Sequence, residues 1–331
     1  MNIEEFCKKY NLGNVINITK LTGGLMHKMF KVETDKVIYA IKILNSEVML
    51  RDNAYDNFVV SEKISNFAKD NGINVSNALI INNNFINKHN NDYYMVFNYV
   101  EGKTLTDKEI TIQHCKKIGN VLAQIHNLDY KKIGLEGKIK KEEYNVDWES
   151  YMNNENFNKM PYKDKYLKNY IKYDSLLKRC IAIYNESNNT ISICHRDLDP
   201  KNVMWNNNEP IIIDWESASL SNPHRELIET AISWSGFLSN EFSIEKFKSL
   251  IKEYIKIKTT KYDSDSMIYS NLISKFWWLD YNIKRSLGII TNDNEEIILG
   301  QLEVNKTIDE INRYLKLIDV MNEAIKGVIY E

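Results

Sequence analysis

The sequence predicts an α+β fold in two parts: a small antiparallel sheet carrying one helix over residues 1–100, then a larger, mainly helical part over residues 101–331. Three observations predict it. The first hundred residues alternate β-prone runs with turn residues. Most of the remaining chain repeats apolar residues at three- and four-residue intervals. A short β-prone island near residues 190–215 interrupts the helices and holds a dense charged stretch, "CHRDLDPKNVMW", Cys194 to Trp205. A chain of 331 residues is long enough to bury a large core.

The elements come in order. "VINITKL" is β-prone and ends at "TGG"; "MFKVET" is next, then a short turn at Asp35–Lys36, then "VIYAIKIL". These are a strand, a glycine turn and a hairpin. "NAYDNFVVSEKISNFAKDNG" spaces Phe58, Ile64, Phe67 and Ala68 as a helix does and stops at Gly72, a residue suited to a helix C-terminus. "ALIINNNFIN" and "DYYMVFNYV" are expected to be two more strands. Past "EGKTL", the segment "KEITIQHCKKIGNVLAQIHNL" places Ile118, Val121, Leu122 and Ile125 on one helical face. Residues 129–165 show no regular period. "KYLKNYIKYDSLLKRCIAIYNES" is helical. "TISIC", the charged stretch and "PIIIDW" form the β island. From Pro223 onward the chain is mostly helix, including "NLISKFWWLDYNIKRSLG" and a long segment at 301–327.

Composition excludes several function classes. The formal net charge is −2, with no basic stripe, so nucleic acid is not expected as a partner. No apolar run is long enough to span a bilayer, and "MNIEEFCKKY" lacks the basic-then-apolar plan of a signal peptide. Cys7, Cys115, Cys180 and Cys194 lie far apart with no CxxC spacing, which argues against zinc or a disulfide framework and suits the cytoplasm.

The chemistry sits in the β island. Strand, loop and strand bring Asp197, Asn202 and Asp214 to one end of a ribbon. Phosphoryl transfer needs such a set: one carboxylate to orient a hydroxyl and accept its proton, and two oxygen-bearing groups for hard Mg²⁺ ions. The kinase signature H-R-D-L-x-x-x-N is met by His195, Arg196, Asp197, Leu198 and Asn202. A charged surface turn is the plain alternative, since Asp-Pro and Asn are common in turns. Other features weigh against it. Lys42, in "YAIK" on a strand, is placed to hold nucleotide phosphates, and Glu62 in the next helix is its expected partner. The plain reading of Lys42 is an edge-strand lysine facing solvent. Gly23 and Gly24 would let backbone N–H groups approach phosphate oxygens, although an ordinary hairpin turn accounts for them equally well. His195 is expected to support the loop backbone.

The order of these motifs resembles the protein-kinase-like superfamily, and within it the aminoglycoside phosphotransferase and choline kinase group. "VLAQIHNL", with His126, and "IIIDWESASLSNPHRELIETA" carry the likeness, which covers roughly residues 15–235. The resemblance implies a bilobal protein-kinase-like fold, with residues 1–100 binding nucleotide and 101–331 holding the catalytic loop and substrate. It makes Asp197 the base, Asn202 and Asp214 the metal ligands, and Lys42, paired with Glu62, a phosphate ligand. It sets "MVFNYVEGKTL" as the hinge, with the Asn98 carbonyl and the Val100 N–H reading the base. The chain departs from the pattern at Arg196, where that group usually has glycine. It departs from protein kinases at Asp199, where they carry lysine, and in the short stretch between Asp214 and Pro223, too short for a peptide-binding activation segment.

The expected activity is transfer of a phosphoryl group from ATP or GTP, with Mg²⁺, to a hydroxyl of a small cationic acceptor, in the manner of an antibiotic-resistance phosphotransferase. Asp199, Asp147, Trp148, Glu216 and Asp280 are the candidates for binding that acceptor through charge and cation–π contact. Trp277 and Trp278 at helical spacing read more readily as core. A metabolic kinase acting on choline, ethanolamine, homoserine or a methylated sugar is the alternative, and a nucleotide-binding pseudoenzyme is a further one. The protein is expected to act as a monomer or homodimer.

Overall fold

The computed structural model describes residues 2–21, 27–137, 141–186, 190–258 and 264–330, with the side chains of 264–266 outside the description. The chain divides into two compact units. The first comprises Met1–Gly137 and Ser192–Ser221; the second comprises Lys138–Ile191 and Asn222–Glu331.

The first unit is built on an antiparallel sheet. Its strands are β1 (Val15–Leu21), β2 (Lys28–Thr34), β3 (Ile38–Ile43), β4 (Asn87–His89) and β5 (Asp92–Asn98), in the order β1-β2-β3-β5-β4. Side chains alternate faces along a strand. Tyr39, Ile41 and Ile43 of β3 therefore enter a cluster with Phe30, Val32, Tyr94 and Val96, closed by Ile3, Phe6 and Cys7 of the N-terminal helix α1 (Ile3–Lys9). Lys42 lies between Ile41 and Ile43 on the other face. A second cluster gathers Leu44, Phe58, Ala78, Ile86 and Met95.

Two further helices belong to this sheet region, a single turn α2 (Ser46–Met49) and the long α3 (Ala54–Asp70). Helix α3 ends as the glycine predicts. Gly72 has φ of +85°. Its N–H bonds the carbonyl of Lys69 at 2.9 Å, and the Ile73 N–H bonds that of Ala68 at 3.1 Å, which satisfies two end carbonyls of the helix. Helix α4 (Ile112–His126) begins with a reciprocal cap between Thr111 and His114.

The β island forms two ribbons in the same unit. β6 (Ser192–Cys194) pairs with β9 (Ser219–Ser221), and β7 (Val203–Asn206) pairs with β8 (Glu209–Ile212). Asn207 and Asn208, at φ of 48° and 63°, make the β7–β8 turn, a left-handed pair that asparagine tolerates.

The second unit is helical: α5 (Lys163–Glu186), α6 (Pro223–Ser233), α7 (Ile244–Ile257), α8 (Ser264–Ser286) and α9 (Asn294–Tyr330). Helix α8 packs on α9, α5 and α6 through Ile268, Leu272, Phe276, Leu279 and Ile283, all fully buried. Asn222 caps α6 by accepting from the N–H groups of His224 and Arg225, and Pro223 takes the first helical position, where a missing N–H costs nothing. Residues 129–165, without period in sequence, hold short helical turns at Tyr130–Ile133, Ser150–Asn153 and Phe157–Lys159.

The α+β class and the order of strands then helices are as predicted. Three local features differ. "ALIINNNFIN" is no strand. Asn82 and Asn83 turn left-handed, at φ of 49° and 63°, and Ile81 and Asn84 exchange backbone hydrogen bonds across them. At the start of the segment Ala78 makes an isolated bridge to Phe97 of β5, and beyond the turn Asn87–His89 forms β4. Helices α1 and α2 were not expected. Both start from an asparagine cap, Asn2 and Asn45, in a chain so rich in asparagine that the signal does not stand out.

Candidate active site

The candidate catalytic loop is shaped by its backbone before its side chains matter. Arg196 sits at φ of 67° and Asp214 at 60°, both left-handed, a conformation that costs free energy in a non-glycine residue and is held by the surrounding structure. His195 is fully buried and does much of the holding. Its Nδ1 accepts from the N–H of Asp197 at 3.3 Å, so its Nε2 carries the proton and donates to the carbonyl of Ile213 at 3.1 Å. Its ring meets Trp215 edge-on at 4.7 Å. The imidazole thus ties the residue before Asp214 to the backbone of Asp197. It supports the loop, as the sequence led us to expect.

Asn202 makes the second tie. Its Nδ2 donates to both the carbonyl and the Oδ2 of Asp197, each at 2.8 Å, and its backbone carbonyl accepts from the N–H of Ile213 at 3.0 Å. Those contacts commit the amide N–H₂ to Asp197 and leave Oδ1 as the ligand-type atom. Asp197, Asn202 and Asp214 are therefore brought together at the open end of the β7–β8 ribbon. Burial pushes the Asp197 carboxyl up, and the charge of Asp199 adds to this, against the opposing effect of Lys201 and Asn202; the result is about 6.

Lys42 reaches the same place from β3, with partners other than the one expected. Its Nζ donates to Asp214 Oδ1 at 2.6 Å and to Glu216 Oε2 at 2.7 Å. Burial opposes the charge of Lys42, but the two carboxylates prevail and raise its pKa. Glu62 is buried on α3 and accepts instead from the N–H of Ala78 at 2.8 Å. Burial lifts its carboxyl to about 7, with the Ala78 N–H and the charge of Lys42 working the other way. Lys42 and Glu62 are neighbours, not an ion pair. The reason is local: Glu216, held in a helical turn at Trp215–Ser217, is closer to the ammonium.

Glu216 has a second partner that sequence did not suggest. His27 Nε2 lies 3.4 Å from Glu216 Oε2, while Nδ1 accepts from the N–H of Asn45 at 3.0 Å. Burial alone would raise Glu216; His27 and Lys42 overcome it and hold the carboxyl down to about 2. No sequence signal marks this contact, because His27 and Glu216 are far apart along the chain. Lys201 was also passed over. Its Nζ is 3.2 Å from Asp197 Oδ2, and its spacing of four residues from Asp197 could have revealed it.

Gly23 and Gly24 lie outside the described residues. The hinge segment is placed by β5 and by Gly102. Asn98 pairs with Tyr39 of β3. Gly102 is at φ of 151°, and a Cβ there would meet the Trp205 carbonyl at 2.6 Å, so only glycine lets this segment bridge to β7. Asn98 and Val100 precede that crossing.

The other candidates belong to the second unit. Trp148 is 2% exposed and packs against Phe276 and Tyr151, so it presents no face to a ligand. Asp280 accepts from the Tyr151 hydroxyl and pairs with Lys284 at 2.8 Å. Asp147 is exposed; its Oδ1 accepts from the Ser150 N–H at 3.2 Å. It lines an open hollow of about 490 Å³ with Tyr151 and Lys284. Trp277 donates to Glu142 and Trp278 to Glu303.

A left-handed aspartate after a two-stranded ribbon, a lysine brought to it from a sheet, and an Asp–Asn pair on the preceding loop define the class of phosphoryl-transferring kinase-like enzymes. Residues 62–255 match the phosphotransferase enzyme family, and the chain belongs to that family. None of the curated proteins matches its sequence. Its fold is similar to that of a spectinomycin phosphotransferase in complex with ADP and spectinomycin: TM-score 0.68 and 14% identity, over 95% of this chain and 98% of that one. A choline kinase from Cryptosporidium parvum is similar at TM-score 0.64 and 14% identity, over 99% of each chain. An amicoumacin kinase in complex with AMP-PNP and Ca²⁺ is similar at TM-score 0.60 and 10% identity, over 94% of each. Among the described residues, no helix is long and apolar enough to cross a membrane.

Proposed function

We propose that the protein transfers the γ-phosphate of ATP or GTP to a hydroxyl of a small, cationic molecule, in the manner of an aminoglycoside phosphotransferase. The observation that carries this reading is the single cluster of Asp197, Asn202, Asp214 and Lys42. Asp197 Oδ2 orients the hydroxyl and takes its proton as the acceptor oxygen bonds to phosphorus. A pKa of about 6 leaves it ionised at neutral pH and able to receive that proton. Lys42, Gly23 and Gly24 hold the phosphates, and the backbone of Asn98 and Val100 reads the base. Residues 1–100 thus serve the nucleotide and 101–331 the chemistry and acceptor.

The donor set fits Mg²⁺. The Asp214 carboxylate and Asn202 Oδ1 are hard oxygens, with the other Asn202 amide atom already committed. Magnesium bound there would neutralise charge on the phosphates. Lys42 would exchange its carboxylate partners for phosphate oxygens as nucleotide arrives.

Support for a cationic acceptor comes from Asp199 beside Asp197 and from exposed Asp147. Asp280 and Glu216 support it less, since each already holds a lysine. That partial neutralisation favours, as a second reading, a metabolic kinase for a less charged alcohol. The buried thiols of all four cysteines suit a reducing cytoplasm, where nucleotide is available.

The test is turnover with Mg·ATP or Mg·GTP over a panel of aminoglycosides, amino alcohols and neutral polyols, with Asp197→Ala as control. Phosphorylation of polyamine sugars, with raised inhibitory concentrations in an expressing host, supports the resistance reading. Turnover of amino alcohols or neutral polyols alone transfers the weight to metabolism. Nucleotide binding without phosphorylation of anything in the panel would sink both.

A further inference from the structure

We infer that Lys201 is a catalytic residue whose ammonium contacts the phosphoryl group in transit. This rests on the kinase reading above. Lys201 belongs to the helical turn Pro200–Asn202, which starts from Asp199 and carries Asn202 next in line. The turn brings its Nζ to 3.2 Å from Oδ2 of Asp197, the oxygen that Asn202 also binds. The lysine side chain is 65% exposed. The charges of Asp197, Asp199 and Asp214 all act on it.

The chemistry gives that position a use. In the transfer, the acceptor oxygen forms a bond to the γ-phosphorus and its proton passes to Asp197. The bond from the γ-phosphorus to the bridging oxygen breaks, and its electron pair leaves with the nucleoside diphosphate. A hydroxyl hydrogen-bonded to Asp197 Oδ2 sits about 3 Å from it. The Lys201 ammonium is bonded to the same oxygen, so it lies beside both the attacking oxygen and the phosphoryl oxygens. With ATP bound the ammonium is shared between Asp197 and the γ-phosphoryl oxygens; when Asp197 takes the proton, its charge is cancelled and the ammonium turns fully to those oxygens. A fixed cation is worth most where charge is redistributed. Asp199 stands where protein kinases place a lysine; here the positive charge comes from two residues further on, across Pro200. A plain surface ion pair is the competing explanation. Exposed pairs of this spacing contribute little to folding, so a structural role predicts a silent substitution.

The experiment compares Lys201→Met and Lys201→Arg with wild type in two measurements. In turnover with the best acceptor, Lys201→Met is expected to lower kcat by ~10²-fold and Lys201→Arg by under ~10-fold, with melting temperatures unchanged. In calorimetry without acceptor, Lys201→Met is expected to weaken Mg·ATP by ~10-fold and Mg·ADP by less than ~2-fold, because only ATP carries the phosphoryl group it contacts. Unchanged kcat, or equal losses for ATP and ADP, overturns the role of Lys201 and leaves the kinase reading intact. If wild type binds nucleotide but phosphorylates nothing, the kinase reading fails, and the ATP-against-ADP difference still decides the Lys201 contact. If wild type binds neither nucleotide, both fall.

Discussion

Acidic side chains gather in both compact units, and the two gatherings are built differently. In the helical unit three carboxylates each have a cation of their own: Asp280 has Lys284, Glu310 has Lys275, and Glu142 has Arg225. In the sheet unit Asp214 and Glu216 share Lys42, and Asp197 and Asp199 share the field of Lys201. Paired one to one, carboxylates are structural and their charge is neutralised. Shared cations leave a surplus of negative charge at the end of the β7–β8 ribbon, which a divalent metal would complement. The two arrangements predict which carboxylates build the protein and which act on something else.

The largest expected effect tests that separation directly. Asp197→Ala should lower kcat by ~10³-fold or more, because it removes the proton acceptor while the fold stays intact by melting. Asp280→Ala should lower kcat by less than ~10-fold, since it removes only an ion pair and the acceptor of the Tyr151 hydroxyl. Comparable losses from the two substitutions would break the comparison.

Lys42 comes next. Lys42→Met leaves Asp214 and Glu216 facing each other without their cation, so unfolding free energy should fall by about 3 kcal/mol, along with most activity. Adding Glu216→Gln relieves the repulsion. The double variant should regain over half of the stability in denaturant titration and none of the activity. If activity returned with stability, Lys42 would be a strut and not a phosphate ligand.

A pH profile sharpens the same point at smaller scale. Asp197 must be ionised to accept a proton, and its pKa is raised to about 6. Turnover should therefore fall about tenfold per pH unit below that value and flatten above it. A midpoint near 4, the ordinary carboxylate range, would assign the proton acceptance to a less buried group.

The grouping of the candidate loop residues was legible because it is local in sequence. His195, Asp197 and Asn202 fall within eight residues, and Asp214 is fixed by the short hairpin beyond them. The sheet was legible from alternation, and α3 from its apolar spacing and Gly72. Ion-pair partners were not. Glu216 wins Lys42 from Glu62 through the placement of a turn that lies 174 residues from the lysine in sequence, and no local pattern encodes such a distance. Trp148 was misplaced for a similar reason: an aromatic flanked by acids has the composition of a binding site, yet tertiary packing buries it on Phe276. Asparagine blurred the rest, since it marks turns, caps and left-handed residues alike.

The smallest expected effect concerns the carboxylate that lost the competition. Glu62 is buried, and its carboxyl is raised to about 7 while an unfolded glutamate titrates near 4.5. A group whose folded pKa is raised contributes stability that is complete below the unfolded value and is lost as pH climbs through the folded one. Between pH 4.5 and 7 the wild type should therefore lose stability that Glu62→Gln, which has no proton to release, retains. Glutamine keeps an oxygen to accept the Ala78 N–H, so the two proteins should be close in stability at pH 4.5 to 5. Above pH 7 the variant should be ahead by on the order of 1–2 kcal/mol, read as the difference in denaturant midpoints across the pH series. A variant less stable than wild type at pH 8 would mean that ionised Glu62 is held by the charge of Lys42 more strongly than burial penalises it. That outcome would return Glu62 to partnership with the lysine and leave Glu216 as the looser of its two neighbours.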